Sequence, residues 1–173
     1  ELHHPIEMQN HLFDALMKAG APHGITLFGA RAQNWMRQEK SYRAFGSDIG
    51  RDASPLESGL DRFVDLDKDF RGKAAMQALG VRAKCVTLAM DGPEDADPWG
   101  REGLLHGGEV VGRLTSGGWS VTLGRRIGLG YVRPELAVPG TELKVRILGE
   151  LHDAEIIEDS PHDPENARLR VNG

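Results

Sequence analysis

The residue types most able to do chemistry in this chain are its seven histidines and its one cysteine. His3 and His4 are adjacent, and successive residues of an extended strand point to opposite sides, so this pair is a poor chelate. The other histidines are scattered, and one cysteine cannot supply a thiolate metal site. Cys85 lies between Lys84 and Val86 in a strand-like pattern, which favours a small buried apolar side chain over a nucleophile. We therefore expect no metal site in this chain and no cysteine chemistry.

Two glycine-containing stretches are weak candidates for nucleotide binding. Residues 115–118, Thr-Ser-Gly-Gly, lack the lysine and the following helix of a P-loop, and Trp119 resumes a strand-like pattern. They predict a tight turn. Residues 128–130, Gly-Leu-Gly, lack the third glycine and the helix of a dinucleotide fingerprint.

Three charged residues lie on one predicted helix: Arg31 where the helix begins, and Arg37 and Glu39 near its end. A helical Arg–Glu pair is usually a solvated or structural ion pair worth less than about 1 kcal/mol. That interpretation is favoured for Arg37 and Glu39. Spacing alone identifies no acid–base or nucleophilic group.

The first half of the chain is predicted to be a mixture of helices and loops. Pro5 can open a helix, and apolar residues then recur at three- and four-residue spacing over residues 6–19 until Gly20 ends the pattern. The further elements predicted before a boundary near Gly80 are a helix from near Gly29, an irregular surface loop over 46–59, a short strand over 63–66, and a helix over 73–79 that Asp69 caps.

The second half carries five candidate strands. In one of them Leu143, Val145 and Ile147 alternate with charged residues, which predicts one buried and one solvated face. An acidic loop over 91–103 separates the first two. Several short antiparallel strands at this spacing favour a small barrel or a sandwich. The five candidates are Ala83–Met90, Glu109–Thr115, Ile127–Val132, Glu142–Leu148 and Ala154–Glu158.

Composition narrows the class of protein. The chain has 173 residues and a net charge of −5, which argues against a general binder of nucleic acid backbones. No apolar run approaches the roughly 20 residues that a membrane span needs. The chain starts with Glu1 and no cationic-then-apolar segment follows, so we expect no signal peptide and a cut or processed start. A single cysteine favours a reducing cytosolic or organellar compartment.

Eight short segments occur in a characteristic order across nearly the whole chain: 1–3, 29–31, 36–40, 45–49, 54–60, 68–73, 112–118 and 127–132. Together they resemble the folate-binding glycine cleavage T-protein (aminomethyltransferase) superfamily. The tail, with Pro-His-Asp-Pro-Glu-Asn at 161–166 and Arg-Leu-Arg at 168–170, is similar to the C-terminal region of dimethylglycine and sarcosine dehydrogenases.

The resemblance implies an α+β fold in two domains. Residues 1–82 would be the second half of a T-protein-like folate-binding domain, and residues 83–173 a small antiparallel β-barrel. In the superfamily the catalytic aspartate lies upstream of this region, and in the dehydrogenases a flavin oxidase domain lies further upstream. We therefore expect no catalytic residue in this chain.

The resemblance also implies roles for individual residues. Glu1 matches the carboxylate that accepts the ring N–H and the amino group of the pterin as a bidentate pair. Leu2 and His3 follow in the same pterin-contacting strand. Arg31 matches the arginine that meets polar or anionic parts of the folate.

Two positions depart from the superfamily pattern. Arg62 stands where an aromatic residue is common, and it could stack through its guanidinium plane, bind the glutamate tail of a folate, or point to solvent. His162 stands where a tyrosine is common. Both positions bear on which ligand the site accepts.

The function implied is that of the C-terminal part of a tetrahydrofolate-dependent one-carbon transferase module in a dimethylglycine/sarcosine dehydrogenase-like flavoenzyme. The one-carbon unit from an oxidised N-methyl amine would be captured as methylenetetrahydrofolate. The cofactors would be tetrahydrofolate here and FAD in the upstream domain. The partner would be that upstream part, with neither nucleic acid nor membrane, in a bacterial cytoplasm or the mitochondrial matrix.

Alternatives remain at this point. The chain could be a non-catalytic docking domain that retains the fold, or part of a folate-dependent demethylase or aminomethyltransferase of the same superfamily. By itself the chain is expected to be inactive.

Overall fold

The computed structural model describes residues 2–93 and 95–170, which fall into two compact units, Glu1–Ala32 and Gln33–Gly173. The domain boundary between residues 82 and 83 stays a prediction. The helices are α1 (Gln9–Gly20), α2 (Ala30–Glu39) and α3 (Lys73–Leu79), and the strands are β1 (Lys84–Met90), β2 (Gly103–His106), β3 (Glu109–Ser120), β4 (Arg125–Val132), β5 (Glu142–Ile147) and β6 (Glu150–Ile157).

In the first unit, the helix predicted over residues 6–19 is confirmed. A 3-10 turn at Ile6–Met8 leads into α1, and a second one at Ala21–His23 follows it. Gly24 then takes a left-handed backbone with φ of 70°, which glycine adopts without a steric penalty. None of the described residues of this unit is buried.

The predicted barrel is confirmed in the second unit. Six antiparallel strands close in the order β1-β4-β3-β2-β5-β6, and β6 pairs back onto β1. Alternation works as predicted in β5, where Leu143, Val145 and Ile147 are buried and the residues between them are exposed. The barrel interior is a single apolar cluster to which all six strands contribute.

Strand β1 is buried on both faces. Leu88 and Met90 lie in the barrel interior, while Cys85 belongs to a separate cluster with Leu129 and Tyr131 of β4. Ala53 and Ala83, which precede the barrel, pack against this outer cluster. Ala53 thus gives the loop over residues 46–59 a small apolar contact with the barrel wall.

The tight turn predicted over residues 115–118 is wrong, because these residues lie inside the long strand β3. A bulge between Leu114 and Ser116 absorbs the irregular pattern. Gly117 and Gly118 leave room for close neighbours, since an added Cβ would clash with Pro98 at the first position and with Trp35 of α2 at the second. The glycines therefore serve packing, not a change of chain direction.

Three further predictions are corrected. The strand over 63–66 is wrong: a 3-10 helix ends at Phe63, and the chain there lies outside the closed barrel with no partner strand. The cap by Asp69 is wrong, since Gly72 with φ of 95° precedes α3 and no side chain caps it. Strand β2 was missed at the end of the predicted loop over 91–103, although Leu104 and Leu105 are both buried.

Within the part of the chain that the structure describes, no helix combines the length and the apolar character needed to cross a membrane.

Candidate functional site

The predicted folate residues are divided between the two units. Glu1 lies outside the described residues. Leu2 and His3 form the exposed start of the first unit, and Arg31 is the second residue of α2, also exposed and in that unit. Their part in folate binding stays a prediction.

Arg62 lies in the second unit, on the wall of a cavity of about 670 Å³. Three segments separated in sequence build this cavity, which we call the Arg62 cavity: the turn after α2, the 3-10 helix that carries Arg62, and the chain after β6. Its lining comprises residues 40–43, residues 59–63, Asp159, Ser160, Pro164 and Asn166.

The Arg62 cavity combines cationic and aromatic side chains. Its three cations, Lys40, Arg43 and Arg62, outnumber its two carboxylates, and Tyr42 and Phe63 supply rings with exposed surface. The guanidinium of Arg62 lies 4.7 Å from the centre of the Phe63 ring, a cation–π arrangement. A surface of this kind suits a ligand with a planar ring and an anionic group.

Arg43 is the buried cation of the cavity. Its Nη1 donates to the Ser41 carbonyl at 2.8 Å, and its Nη2 donates to Asp159 Oδ2 at 2.8 Å. Burial by itself lowers the pKa of Arg43, but Asp159 and the Cys85 sulfur, which ionises only in the alkaline range where Arg43 titrates, outweigh burial and raise the pKa. Gly59, with φ of 68°, makes room for this side chain, because a Cβ there would lie 3.1 Å from Nη2.

One polar atom of the cavity-lining residues is left without a partner. Asn166 Oδ1 is buried and accepts no hydrogen bond within the part of the chain that the structure describes, although buried polar atoms are normally satisfied. The side chain of Arg43 is bonded to Ser41 and Asp159 and also interacts with Cys85.

Cys85 is a buried neutral thiol, as predicted. It is 6% exposed, and burial raises its pKa to about 11 in spite of the neighbouring Arg43. A thiol with so high a pKa carries almost no thiolate at neutral pH, so it is not a nucleophile.

The predicted pairing of Arg37 with Glu39 is wrong. Residues two apart on a helix do not face each other, and the two side chains reach different partners. Arg37 Nη1 donates to Asp48 Oδ2 at 2.6 Å, whereas Glu39 accepts from the hydroxyls of Ser120 at 2.6 Å and Thr122 at 3.1 Å.

The prediction that residues 46–59 form a surface loop is wrong for Asp48, Glu57 and Ser58, which are buried. Asp48 accepts several hydrogen bonds. Besides Arg37, its carboxylate accepts hydrogen bonds from the Ala44 N–H at 3.0 Å, from Thr115 Oγ1 at 2.5 Å and from Ser116 Oγ. Burial raises the pKa of Asp48, but the bonds from Ala44, Ser116 and Thr115 and the charge of Arg37 outweigh it and hold the pKa below its usual value. Both oxygens are occupied, so Asp48 positions its neighbours and does not act as a base.

Sequence reasoning also missed Lys40, Arg43, Asp159 and Asn166 as cavity residues. Lys40 and Asn166 lie in the segments 36–40 and 161–166 that carry the resemblance, and the Asp163-Pro164 dipeptide is typical of a turn. A turn signal does not say where the turn docks.

For metals, the structure places no group of three or more His, Cys, Asp or Glu side chains within reach of one ion among residues 2–93 and 95–170.

Comparison with known proteins gives the same architecture. Residues 84–163 match the model of the glycine cleavage T-protein C-terminal barrel domain, and residues 1–68 match that of the GCVT N-terminal domain. The chain is 39% identical to mitochondrial dimethylglycine dehydrogenase of Homo sapiens, over 100% of this chain and 21% of that protein. It is 38% identical to an aminomethyltransferase of Thermosynechococcus vestitus, over 83% of this chain and 38% of that protein.

A solved structure is also similar. The crystal structure of glycine cleavage system aminomethyltransferase T from Bartonella henselae matches with a TM-score of 0.80, over 92% of this chain and 45% of that chain. At 22% identity this likeness shows the fold alone. The chain thus spans less than half the length of each of these relatives.

Proposed function

The chain belongs to the glycine cleavage T-protein family, and from this premise we propose that it is the C-terminal part of a tetrahydrofolate-dependent one-carbon transferase module. The parent would be a dimethylglycine/sarcosine dehydrogenase-like flavoenzyme. The observation that carries this choice is the alignment of the whole chain, at 39% identity, with the human dehydrogenase, whereas the aminomethyltransferase match covers 83% of the chain. Because the chain spans 21% of that dehydrogenase, the activity of the whole enzyme is part of the proposal.

The Arg62 cavity supports a folate as ligand. Folate joins a ring system through an amide to a glutamate tail, so it offers planar surface, a donor, an acceptor and carboxylates. The cations and rings of the cavity fit the charged and planar parts.

Tetrahydrofolate, when bound, supplies the nitrogen nucleophile that takes up a one-carbon unit. This chain would hold it. Glu1 would accept the two donors of the pterin edge, Leu2 and His3 would contact the ring, and Arg31 would meet the polar or anionic part. Arg62 would stack on the ligand or bind its tail.

The contribution of this chain is therefore binding and orientation, which raise the rate by keeping two reactants together. The flavin and the proton-transferring carboxylate would belong to the upstream part of the polypeptide, where an N-methyl amine is oxidised. The enzyme would work in the mitochondrial matrix or a bacterial cytoplasm, and the relatives named as mitochondrial favour the first.

The test is tetrahydrofolate binding, measured by calorimetry on the full-length polypeptide that carries this chain. We expect Glu1→Ala and Arg31→Ala to weaken binding most and Arg62→Ala to weaken it less. Arg113→Ala is the matched control, because its ion pair with Asp52 is exposed and lies outside the Arg62 cavity. If Glu1→Ala and Arg31→Ala leave the affinity unchanged, the chain is a docking domain and the cofactor assignment fails.

A further inference from the structure

The chain after β6 turns back along the end of α2. Residues 159–166, which we call the C-terminal segment, supply four of the residues that line the Arg62 cavity. The opposite side of the cavity is the turn over residues 40–43. The shape of the cavity therefore depends on how firmly these two segments are joined.

Lys40 joins them through its side chain. Its ammonium group donates to the carbonyl of His162 at 3.1 Å and to that of Asp163 at 2.5 Å. A charged donor that bonds two successive carbonyls restrains the backbone between them. Among the described residues, no other lysine or arginine side chain donates to a carbonyl of the C-terminal segment.

Backbone and hydroxyl hydrogen bonds add to this contact between residues 39–41 and the C-terminal segment, which we call the joint. The Ser160 N–H donates to Ser41 Oγ at 2.7 Å, and Ser160 Oγ donates to the Lys40 carbonyl at 2.9 Å. The His162 N–H donates to the Glu39 carbonyl at 3.1 Å. The contact thus has a defined register, with Lys40 at its centre.

The backbone on both sides of the joint is strained. Ser41, Ser160, Asp163 and Asn166 have φ angles of 53°, 55°, 48° and 54°, and they are four of the six non-glycine residues with positive φ in the described chain. Such conformations persist only where surrounding contacts enforce them, and they cluster at ligand sites. Release of the joint would let these residues relax.

We propose that Lys40 is a positioning residue for the ligand of the Arg62 cavity, because it holds in place the C-terminal segment that supplies Ser160 and Asn166 to the cavity wall. The inference rests on the proposed function for the identity of the ligand. The contact between Lys40 and the C-terminal segment does not depend on the proposed function, because it is a property of the protein without ligand.

The first arm of the test is hydrogen exchange of the full-length polypeptide without ligand, for Lys40→Met, Lys40→Arg and Lys144→Met. In Lys40→Met the amides of residues 160–170 should exchange at least about tenfold faster, because two bonds from a charged donor are lost. Lys40→Arg should stay close to wild type, since a guanidinium can also bond two carbonyls. Lys144 forms a solvent-exposed pair with Asp153, so Lys144→Met is the matched control.

The second arm is tetrahydrofolate affinity by calorimetry on the same variants. We expect a loss of about tenfold or more in Lys40→Met and recovery in Lys40→Arg. Loss of affinity with unchanged exchange would mean that Lys40 contacts the ligand directly, which overturns the positioning role. Faster exchange with unchanged affinity overturns it as well. If the wild type binds no tetrahydrofolate, the proposed function fails, and the exchange arm alone decides whether Lys40 holds the segment.

Discussion

The barrel and the region before it, residues 33–82, are held in place by opposite kinds of interaction. Every buried hydrophobic residue among those described lies in a strand of the barrel. The buried residues of region 33–82 are all polar or charged: Gln38, Glu39, Ser41, Asp48, Glu57 and Ser58.

This difference predicts how each region should unfold. Apolar burial is non-directional and shared among many contacts, so the barrel core should lose its structure as one unit. Region 33–82 is bound to the barrel by a few directed hydrogen bonds, which Asp48 accepts from two hydroxyls of β3 and Glu39 from those of Ser120 and Thr122. Within the region, Arg37 pairs with Asp48 and Arg82 with Glu57. We therefore expect this region to open while the barrel stays folded.

The largest effect is expected from a cavity in the barrel core. Leu114 is fully buried in β3, so Leu114→Ala should lower the free energy of unfolding by about 2–5 kcal/mol. Urea unfolding followed by tryptophan fluorescence and circular dichroism measures it. Val121→Ala, at a position that is 75% exposed, is the control and should change little. Equal losses in both variants would contradict a core confined to the barrel interior.

The next effect separates the two regions. Asp48→Ala removes the ionic partner of Arg37 and the acceptor of three hydroxyls and one N–H, which should cost about 2–3 kcal/mol because Arg37 is partly solvated. Hydrogen exchange should rise in residues 37–49 and stay slow in β1 and β4. If protection falls equally in the barrel strands, the two regions unfold together and the comparison fails.

A smaller effect depends on pH. Bonds from Arg82 are the largest influence on Glu57 and lower its pKa from 4.5 to about 2. The unfolded chain therefore binds a proton at higher pH than the folded one, so the stabilisation is complete above about pH 4.5 and is lost as the pH falls toward 2. We expect about 1–2 kcal/mol, because Arg82 is half exposed.

The measurement is the free energy of unfolding between pH 2 and 6 for the wild type and Glu57→Gln. The variant should be less stable at pH 6 and should show a shallower fall with decreasing pH. Parallel curves would show that Glu57 does not attach the loop over residues 54–59 to the linker before β1.

The smallest effect is expected from an exposed ion pair. Arg113 Nη2 lies 2.8 Å from Asp52 Oδ2, and both side chains are more than half exposed. Arg113→Ala should change the free energy of unfolding by about 0.2–1 kcal/mol, and less at high salt. A loss as large as that of Asp48→Ala would show that burial does not set the strength of these attachments.

Much of the fold was predictable because it follows local patterns. Apolar residues at helical spacing predicted α1, and alternation predicted β5, since each pattern places one face against a core. Strand β2 was not predicted because it is four residues long and follows an acidic loop with Gly and Pro. Residues 115–118 were predicted as a turn because small polar residues and glycines are as typical of turns as of a closely packed strand.

The candidate site was predictable only in part. Arg62 was identified from its place in a superfamily motif, and the structure puts it on a cavity wall. Its neighbours Lys40 and Asn166 lie in the segments 36–40 and 161–166 that carry the resemblance, but the resemblance implies no role for either residue. The ammonium group of Lys40 bonds two carbonyls, and the side-chain oxygen of Asn166 is a buried acceptor without a donor among the described residues. No local sequence pattern predicts either feature.

By itself, the sequence determined the family, the helix over residues 6–19 and the alternating strands, because these depend on neighbours a few positions apart. Only the tertiary structure decided the partners of Asp48, the burial of Gly118 against Trp35, and the cavity formed with the C-terminal segment. Those contacts join residues as far apart as Lys40 and Asp163, and barrel closure is what brings them together. A local pattern selects an element, but a hydrogen bond across the fold exists only after every strand between its partners has found its place.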